Sequence, residues 1–353
     1  MIFRVVNEER MEQVRNLWKY SFEKEDDPFF QWYFSEYCGK DNTVIGGFDE
    51  NDNLQNMLHL NPYMLRIRSY EQLVHYIVGV ATAPESRGRH IFGELLKTAF
   101  EVLRSQQFPF VLLMPVYAGI YLPYQFSYCY YRHKYDMDIK IFQPGKTGKD
   151  LPVRREAADK GKLSAIYERA VKNWNGVPVR TDFQWKKLLT VHGMENVLCA
   201  VCYRDTEAAG YMLYKVADGV FNIIELLSCD QEVRNRLLQY AAQHKSEITR
   251  LTWLAEEWDK SYLYFKDQNL SGELYPFMMA RCIDARLALS KLSVSENIPE
   301  DSIILLLSDK ISCNNKRKRK NQPQRLKDGG NCKHQCPSCQ RFIIHFTFPD
   351  IPA

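Results

Sequence analysis

A short basic turn at residues 84–91 lies between an apolar run and a long amphipathic pattern. It places Arg87, Gly88 and Arg89 directly before the amphipathic pattern begins. The start of a helix exposes unpaired backbone N–H groups and carries about half a positive charge. Glycine lets the backbone approach a ligand closely, and arginine adds charge-assisted hydrogen bonds. The turn therefore indicates a site for a phosphate or pyrophosphate group.

The same turn has a simpler interpretation, as the solvated basic start of a helix. Two known phosphate-binding motifs do not fit it. A P-loop requires a Gly-Lys-Ser/Thr sequence, which this turn lacks. A dinucleotide fingerprint requires three glycines, and here only Gly88 is one. From the turn alone, the anion site and the solvated helix start both remain open.

The segments around the turn predict a βαβ unit. The run LVHYIVGV (73–80) predicts a strand leading into the turn, and FVLLMP (110–115) predicts a short buried strand. Between them, a helix from Ile91 is predicted by one apolar stripe, made of Ile91, Phe92, Leu95, Leu96, Ala99, Phe100 and Leu103. Earlier in the chain we predict a helix over 8–24 and strands over 43–48, 54–60 and 62–70. This order of elements favours an α/β fold with a mixed sheet.

A similar order of elements returns after GKTGKD (145–150), which we interpret as a linker. The pattern predicts helices over 164–174 and 231–245, and strands over 196–204, 210–228 and 249–255. In this second unit the join SCDQEVRNRLL lacks an Arg-Gly turn, so a second copy of the fold would have lost the anion site. A third, smaller unit begins near residue 285, and its apolar alternation stops after Asp309. We therefore predict domains at 1–146, 147–284 and 285–353, with the last one incomplete.

The whole chain has the composition of an ordinary globular protein. Its 353 residues suffice for about two or three domains, and its net charge of +4 is no argument for a nucleic-acid partner. Ten scattered cysteines do not form the framework of a small disulfide-rich domain. The segment MIFRVVNEERMEQ has no apolar signal region, and no run approaches the ~20 apolar residues of a membrane span. We expect a reduced, cytoplasmic protein without membrane or nucleic-acid partners.

Two motifs resemble those of a known enzyme family. Val80-Ala81-Thr82-x-Pro84-x-x-Arg87-Gly88-Arg89-x-Ile91 resembles the acetyl-CoA motif of GNAT acyltransferases, with His90 where glycine is usual and Phe92 where glycine or alanine is usual. IYLPYQF (120–126) resembles the Tyr-x-x-(Phe/Tyr)-Gly-aromatic segment of the enhanced intracellular survival (Eis) acetyltransferases, with Gln125 in place of glycine. Eis proteins have tandem GNAT domains, the second degenerate, followed by a sterol-carrier-protein-like domain. FMMARCIDARLAL (277–289) resembles the start of that third domain.

The resemblance implies an N-acetyltransferase that uses acetyl-CoA as co-substrate, requires no metal and transfers the acetyl group directly in a ternary complex. It implies a cofactor site made of Val80, Ala81, Thr82, Arg87, Gly88, Arg89, His90, Ile91, Phe92, Gly93, Val116 and Tyr117. The general acid would be Tyr121, whose phenol has a usual pKa near ~10 and suits protonation of the departing thiolate. In the family a C-terminal carboxylate is the base, which here would be that of Ala353. A homo-oligomer is also implied, with a hexamer as one expected form.

His75 is an alternative base, because it lies on the predicted strand before the turn. A histidine buried in the core is the interpretation that competes with this role, and it is the one we favour.

Acidic and aromatic residues follow the first predicted helix. Asp26 and Asp27 lie a few residues before Trp32, and such groups at the mouth of a cleft suit a cationic amine. We expect these three residues to bind the acceptor, although a solvated acidic loop explains the same composition. An aminoglycoside-like polyamine, a small polyamine and a protein lysine all remain open as acceptors. A non-catalytic scaffold or ligand-binding protein with the same fold is the alternative function.

The last segment of the chain has a different composition. KRKRK (316–320) is typical of nucleic-acid or localisation patches, and Cys332, His334, Cys336 and Cys339 crowd together. Zinc sites usually present two separated pairs of ligands, whereas this segment has one C-x2-C pair. We predict no metal here, and a frameshifted end of the reading frame explains the composition better.

Overall fold

A computed structural model describes residues 1–145, 151–267 and 272–290. Its centre is a mixed sheet of 13 strands, in the order β1-β2-β3-β4-β5-β13-β6-β12-β11-β10-β9-β7, with β8 paired to β3. The strands are β1 (Ile2–Val5), β2 (Thr43–Phe48), β3 (Leu54–Ile67), β4 (Tyr70–Thr82), β5 (Phe110–Leu113), β6 (Ser127–Asp138), β7 (Val153–Glu156), β8 (Val177–Pro178), β9 (Leu198–Arg204), β10 (Glu207–Ala217), β11 (Val220–Ser228), β12 (Arg250–Glu256) and β13 (Glu273–Cys282). The predicted mixed α/β sheet is confirmed.

Helices cover both faces of the sheet. They are α1 (Met11–Ser21), α2 (Pro28–Trp32), α3 (Phe92–Ser105), α4 (Lys160–Ala170), α5 (Asp182–Met194), α6 (Gln231–Ala242) and α7 (Ala285–Ser290). The predicted stripe of α3 is confirmed, because Leu95, Leu96, Ala99, Phe100 and Leu103 are all buried. They pack on one face of the first half of the sheet, while α1 and α2 pack on the other.

The two halves of the sheet repeat one plan. In the first half β4 and β5 are parallel and pair from His75–Val111 to Ile77–Leu113. In the second half β11 and β12 are parallel and pair from Val220–Arg250 to Ile223–Trp253. A β-bulge interrupts β4 opposite Leu58 and β11 opposite the Leu213–Tyr214 step, just beyond each parallel pair. Each half therefore has two parallel strands that separate towards their carboxyl ends.

The two halves exchange their last strands. β13 follows the second half in sequence but lies between β5 and β6, where it pairs with both. β6 follows the first half but pairs with β12 of the second. The boundary predicted near residue 146 therefore divides the chain but not the sheet.

Two predicted strands, over 54–60 and 62–70, prove to be one, and this prediction was wrong. β3 runs without a break through Pro62 and turns only at Arg68 and Ser69. Proline lacks the N–H that a central strand requires. It is tolerated here because pairing with β2 ends at Leu60, so at Pro62 the chain pairs only with β4.

No helix in the described part of the chain is long and apolar enough to cross a membrane. The predicted third domain, apart from α7, lies outside the described residues. The basic run, the cysteine cluster and Ala353 lie there too.

Candidate active site

The candidate site begins where β4 and β5 separate. Beyond Ile77 the chain of β4 continues to Thr82, while β5 ends at Leu113. On the β4 side Val80 and Thr82 are half-buried, and Ala81 is buried against α1 and α2. On the β5 side Val116 and Tyr117 are exposed. The predicted cofactor residues on β4 and after β5 therefore lie beyond the point where the pairing of these two parallel strands ends, and we call this place the β4/β5 cleft. Ligands commonly bind at the carboxyl ends of the strands in α/β sheets.

The basic turn adopts two left-handed backbone positions before α3. Gly88 has φ +76°, and His90 has φ +55°. His90 stands where the family motif usually has glycine, and it occupies the backbone conformation in which glycine is favoured. Histidine tolerates this region better than most residues, at a cost of about 1 kcal/mol. Ile91 then takes the N-cap position, so α3 begins at Phe92, one residue later than predicted.

The start of α3 is open to an anion. The backbone N–H groups of residues 88–94 donate no hydrogen bond to any described residue, and no side chain caps the helix. Arg87, Arg89 and His90 are exposed around these groups, and Arg87 Nε donates to the Thr82 carbonyl at 3.3 Å. Free N–H groups and positive charge at one place favour a phosphate group.

Tyr121 lies beside this helix start. Its ring packs edge-on against Phe92 at 5.8 Å and against Phe126 at 5.8 Å. The side chain is buried, with 8% of its surface exposed. Burial raises the pKa of Tyr121 above its usual value, so the phenol stays protonated at neutral pH. A protonated phenol beside the cleft has the chemistry of a general acid.

Tyr124 packs against the first residues of α3 and so joins the loop of Tyr121 to this helix. Phe92 packs edge-on against it at 5.6 Å. A Cβ atom at Gly93 would lie 2.7 Å from the Tyr124 hydroxyl, so a larger residue here would require the Tyr124 side chain to shift. Phe92 and Gly93 thus hold the loop of Tyr121 close to the free N–H groups.

The three predicted acceptor residues differ in their surroundings. Asp26 is exposed. Asp27 caps α2, where its carboxylate accepts from the Phe29 N–H at 2.7 Å. Trp32 is half-buried and stacks on Tyr37 at 6.0 Å. Of the two aspartates, Asp26 has the carboxylate that is not committed to a helix cap.

Lys187 of α5 completes a cluster that the sequence pattern did not reveal. Its Nζ lies 3.6 Å from the ring centre of Tyr37, 5.6 Å from that of Tyr63 and 6.0 Å from that of Trp32. Desolvation lowers the pKa of Lys187 to about 8, although Asp41 acts in the opposite direction. No sequence signal connects a lysine in the second half with aromatic residues in the first.

His75 lies in the core, as favoured from the sequence. It sits in the paired part of β4, its ring contacts Phe108 at 4.4 Å, and burial lowers its pKa to about 4. The imidazole is therefore neutral at physiological pH and packed beneath α3.

The equivalent helix start in the second half is occupied by its own side chains. Asp230 caps α6 by accepting from the Val233 N–H at 3.0 Å, and Arg204 forms an ion pair with Asp230 at 2.8 Å. A carboxylate thus takes the place at which α3 leaves its N–H groups free.

The second pair of separating strands is filled by buried charge. Arg234 contacts Glu256 at 2.6 Å and Asp259 at 2.7 Å. Nearby, Arg180 contacts Glu225 at 2.7 Å. The remaining cavity has a volume of about 20 Å³, room for roughly one water molecule. The second cleft therefore differs from the first in the side chains that fill it and not in the arrangement of its strands.

Comparisons with known proteins match each half of the chain to a domain family. Residues 3–129 and residues 176–287 each match an acetyltransferase (GNAT) domain family, and together the matches cover more than half of the chain. No curated protein is significantly similar to the chain in sequence.

Solved structures share the fold across most of the chain. A probable N-acyltransferase of Enterococcus faecalis, described as a conserved protein of unknown function, has a TM-score of 0.73 at 19% identity, over 82% of this chain and 74% of its own. Eis1 of Mycobacterium abscessus has a TM-score of 0.62 at 15% identity, over 82% and 75%. N-myristoyltransferase of Saccharomyces cerevisiae, solved with myristoyl-CoA, has a TM-score of 0.51 at 12% identity, over 79% and 82%. With a GNAT match in each half and this shared fold, the chain belongs to the GNAT acetyltransferase superfamily and carries two GNAT domains in tandem.

Proposed function

We propose that the chain is an acetyl-CoA-dependent N-acetyltransferase of the Eis type, and that only its first domain binds the cofactor. The observation that carries this proposal is the start of α3, where the N–H groups of residues 88–94 have no partner among the described residues and lie at the carboxyl end of the β4/β5 strand pair. Arg87 and Arg89 add positive charge for the pyrophosphate. Residues Val80 to Thr82 on one wall, and Val116 and Tyr117 on the other, would hold the pantetheine arm.

The acetyl group would pass directly from thioester to amine. The neutral amine attacks the carbonyl carbon, the C–S bond breaks, and the thiolate takes the proton of the Tyr121 hydroxyl. The amine releases its own proton to a base, for which the carboxylate of Ala353 is the proposal taken from the Eis resemblance. Support for Tyr121 comes from its protonated state and its position beside Phe92 at the start of α3.

We propose a cationic acceptor, either a small polyamine-like molecule or a lysine side chain. Asp26 would attract its charge, and Trp32 would contact it through the ring face. Asp27 would act indirectly, by capping α2, the helix that carries Trp32. Lys187 lies on the same aromatic group and restricts the space that an acceptor can enter.

The finer assignment to the Eis family rests on the motif at residues 120–126 and on the fold shared with Eis1. The preference for acetyl over longer acyl groups, the sterol-carrier-like third domain, the homo-oligomer and the cytoplasmic location belong to the same proposal.

A non-catalytic protein with the same fold is the second candidate. His90 and Gln125 favour it, because each occupies a left-handed position, φ +55° and +64°, where the corresponding family motifs have glycine. Binding and turnover measurements separate the two candidates.

The first experiment is a calorimetric titration of the chain with acetyl-CoA, followed by an acceptor screen that monitors CoA release. We expect micromolar binding. Tyr121→Phe should lower kcat on the order of 10²-fold and leave the Kd for acetyl-CoA unchanged, because only the proton donor is lost. Tyr264→Phe is the matched control, since Tyr264 lies in the equivalent segment between β12 and β13, and it should leave kcat unchanged.

Absence of acetyl-CoA binding by the folded chain would contradict the proposal. Binding without turnover on any amine would favour the non-catalytic candidate. Full activity of Tyr121→Phe would show that the acid is another group.

A further inference from the structure

The loop that carries Tyr121 has a backbone that requires support. Tyr121 lies between two short 3-10 turns, Ala118–Ile120 and Leu122–Tyr124. Directly after them, Gln125 has φ +64°. A residue other than glycine in this conformation persists only where its surroundings hold it. Some neighbouring group must therefore stabilise the end of the loop.

Arg281 is that group. Its Nη1 donates to the Tyr124 carbonyl at 2.7 Å and to the Gln125 side-chain oxygen Oε1 at 2.9 Å. Its guanidinium lies 4.4 Å from the ring centre of Phe100 on α3. The side chain is only 2% exposed, so these contacts are made away from solvent, where charge-assisted hydrogen bonds are strong.

The strand exchange brings Arg281 to this position. Arg281 lies on β13, which follows the second domain in sequence, and it pairs with Val111 of β5. It is more than 150 residues from the loop that it contacts. One guanidinium thus joins β13, α3 and the loop of Tyr121.

We propose that Arg281 is a positioning residue for acetyl transfer: it holds the loop so that the Tyr121 hydroxyl stays at the cleft, and the strand that follows the second domain thereby sustains catalysis in the first. The Gln125 side chain is its second anchor point, so the residue that replaces glycine in the motif contributes the acceptor that Arg281 requires. The catalytic part of this inference rests on the proposed function, whereas the anchoring of the loop does not.

Arg281→Met tests the catalytic part, because methionine keeps an extended side chain but donates no hydrogen bond. We expect kcat to fall about ten- to a hundredfold, since a small misplacement of a catalytic group has effects of this size. The KM for acetyl-CoA should stay within about twofold, because the N–H groups of residues 88–94 do not depend on Arg281.

A double-mutant cycle separates positioning from a general structural role. If Arg281 acts through the Tyr121 hydroxyl, adding Arg281→Met to Tyr121→Phe should lower kcat by less than about twofold. An equal loss of kcat in both backgrounds, or no loss in either, would overturn the proposal. If Arg281→Met does not fold, Arg281→Lys replaces it, with a partial loss of kcat and an unchanged KM expected, and full activity contradicting the proposal.

Hydrogen exchange tests the anchoring without any turnover. In Arg281→Met the amides of residues 121, 122 and 124–126 should exchange about tenfold faster or more, while those of α6 in the second domain keep their rates. Unchanged exchange in the loop would reject the anchoring even if the enzyme is active. Faster exchange in a chain that never releases CoA would support the anchoring and reject the proposed function instead.

Discussion

The β4/β5 cleft and the β11/β12 cleft have the same arrangement of strands but differ in the side chains at their helix starts. Both arise where a parallel pair separates beyond a β-bulge and a helix begins. At the first, α3 starts without a cap and is surrounded by exposed Arg87, Arg89 and His90. At the second, Asp230 caps α6 and Arg234 forms buried ion pairs with Glu256 and Asp259.

The difference shows that the fold supplies two potential sites and that a few side chains decide which one can bind an anion. A carboxylate at a helix start satisfies the N–H groups that a phosphate would otherwise contact. A buried ion network fills the space between the strands. Three changes in the chain test this interpretation.

The largest effect is expected for Arg234→Met in the second cleft. It would leave the buried carboxylates of Glu256 and Asp259 without their cation, and breaking such a pair typically costs about 3–5 kcal/mol in the free energy of unfolding. Urea unfolding of the whole chain measures this loss.

Arg204→Met is the matched control, because its ion pairs with Asp230 and Glu232 are partly exposed and such pairs contribute at most about 1 kcal/mol. Equal, small losses for the two variants would mean that the buried ions do not hold the second cleft closed.

A smaller effect is expected when the first cleft is given the acidic cap position of the second. Ile91→Asp places a carboxylate at the N-cap of α3, as Asp230 does at α6. Repulsion of the pyrophosphate should weaken acetyl-CoA binding about tenfold, as measured by calorimetry.

Ile91→Asn is the control for shape, because asparagine has nearly the same size and shape as aspartate but no charge. In this variant most of the affinity for acetyl-CoA should return. Acetyl-CoA binding that is equally tight in the aspartate variant would show that the start of α3 does not hold the pyrophosphate.

The smallest effect is expected for His90→Gly, which restores the residue usual in the family motif. Glycine adopts φ +55° without strain, so the free energy of unfolding should rise by about 1 kcal/mol. Acetyl-CoA should bind a few-fold more tightly, because the turn then adopts its left-handed conformation without backbone strain.

Gly88→Ala is the opposite change at the other left-handed position of the turn, φ +76°, and it should destabilise the chain although no atom of the described residues lies within 4 Å of the added Cβ. Thermal unfolding distinguishes the two variants by sign, and shifts in the same direction would contradict the assigned backbone conformations.

Elements with strong local patterns could be predicted from the sequence. The stripe from Leu95 to Leu103 predicted α3, and the alternation of elements predicted the mixed sheet and its repeat. The prediction failed at Pro62 because a strand pattern does not show where a neighbouring strand ends. The backbone angle of His90 was not predicted, because backbone angles at a turn depend on the space around it.

The sequence by itself determined the local elements of this protein: an amphipathic helix, a basic turn before it and a tyrosine after the next strand. Each follows from the periodicity or chemistry of neighbouring residues. Only the tertiary structure decided that β13 crosses to the first half of the sheet, that Arg281 supports the loop of Tyr121 and that Lys187 meets Trp32. These contacts join residues more than 150 positions apart, and such distances are bridged by strand pairing and packing, which no local pattern records.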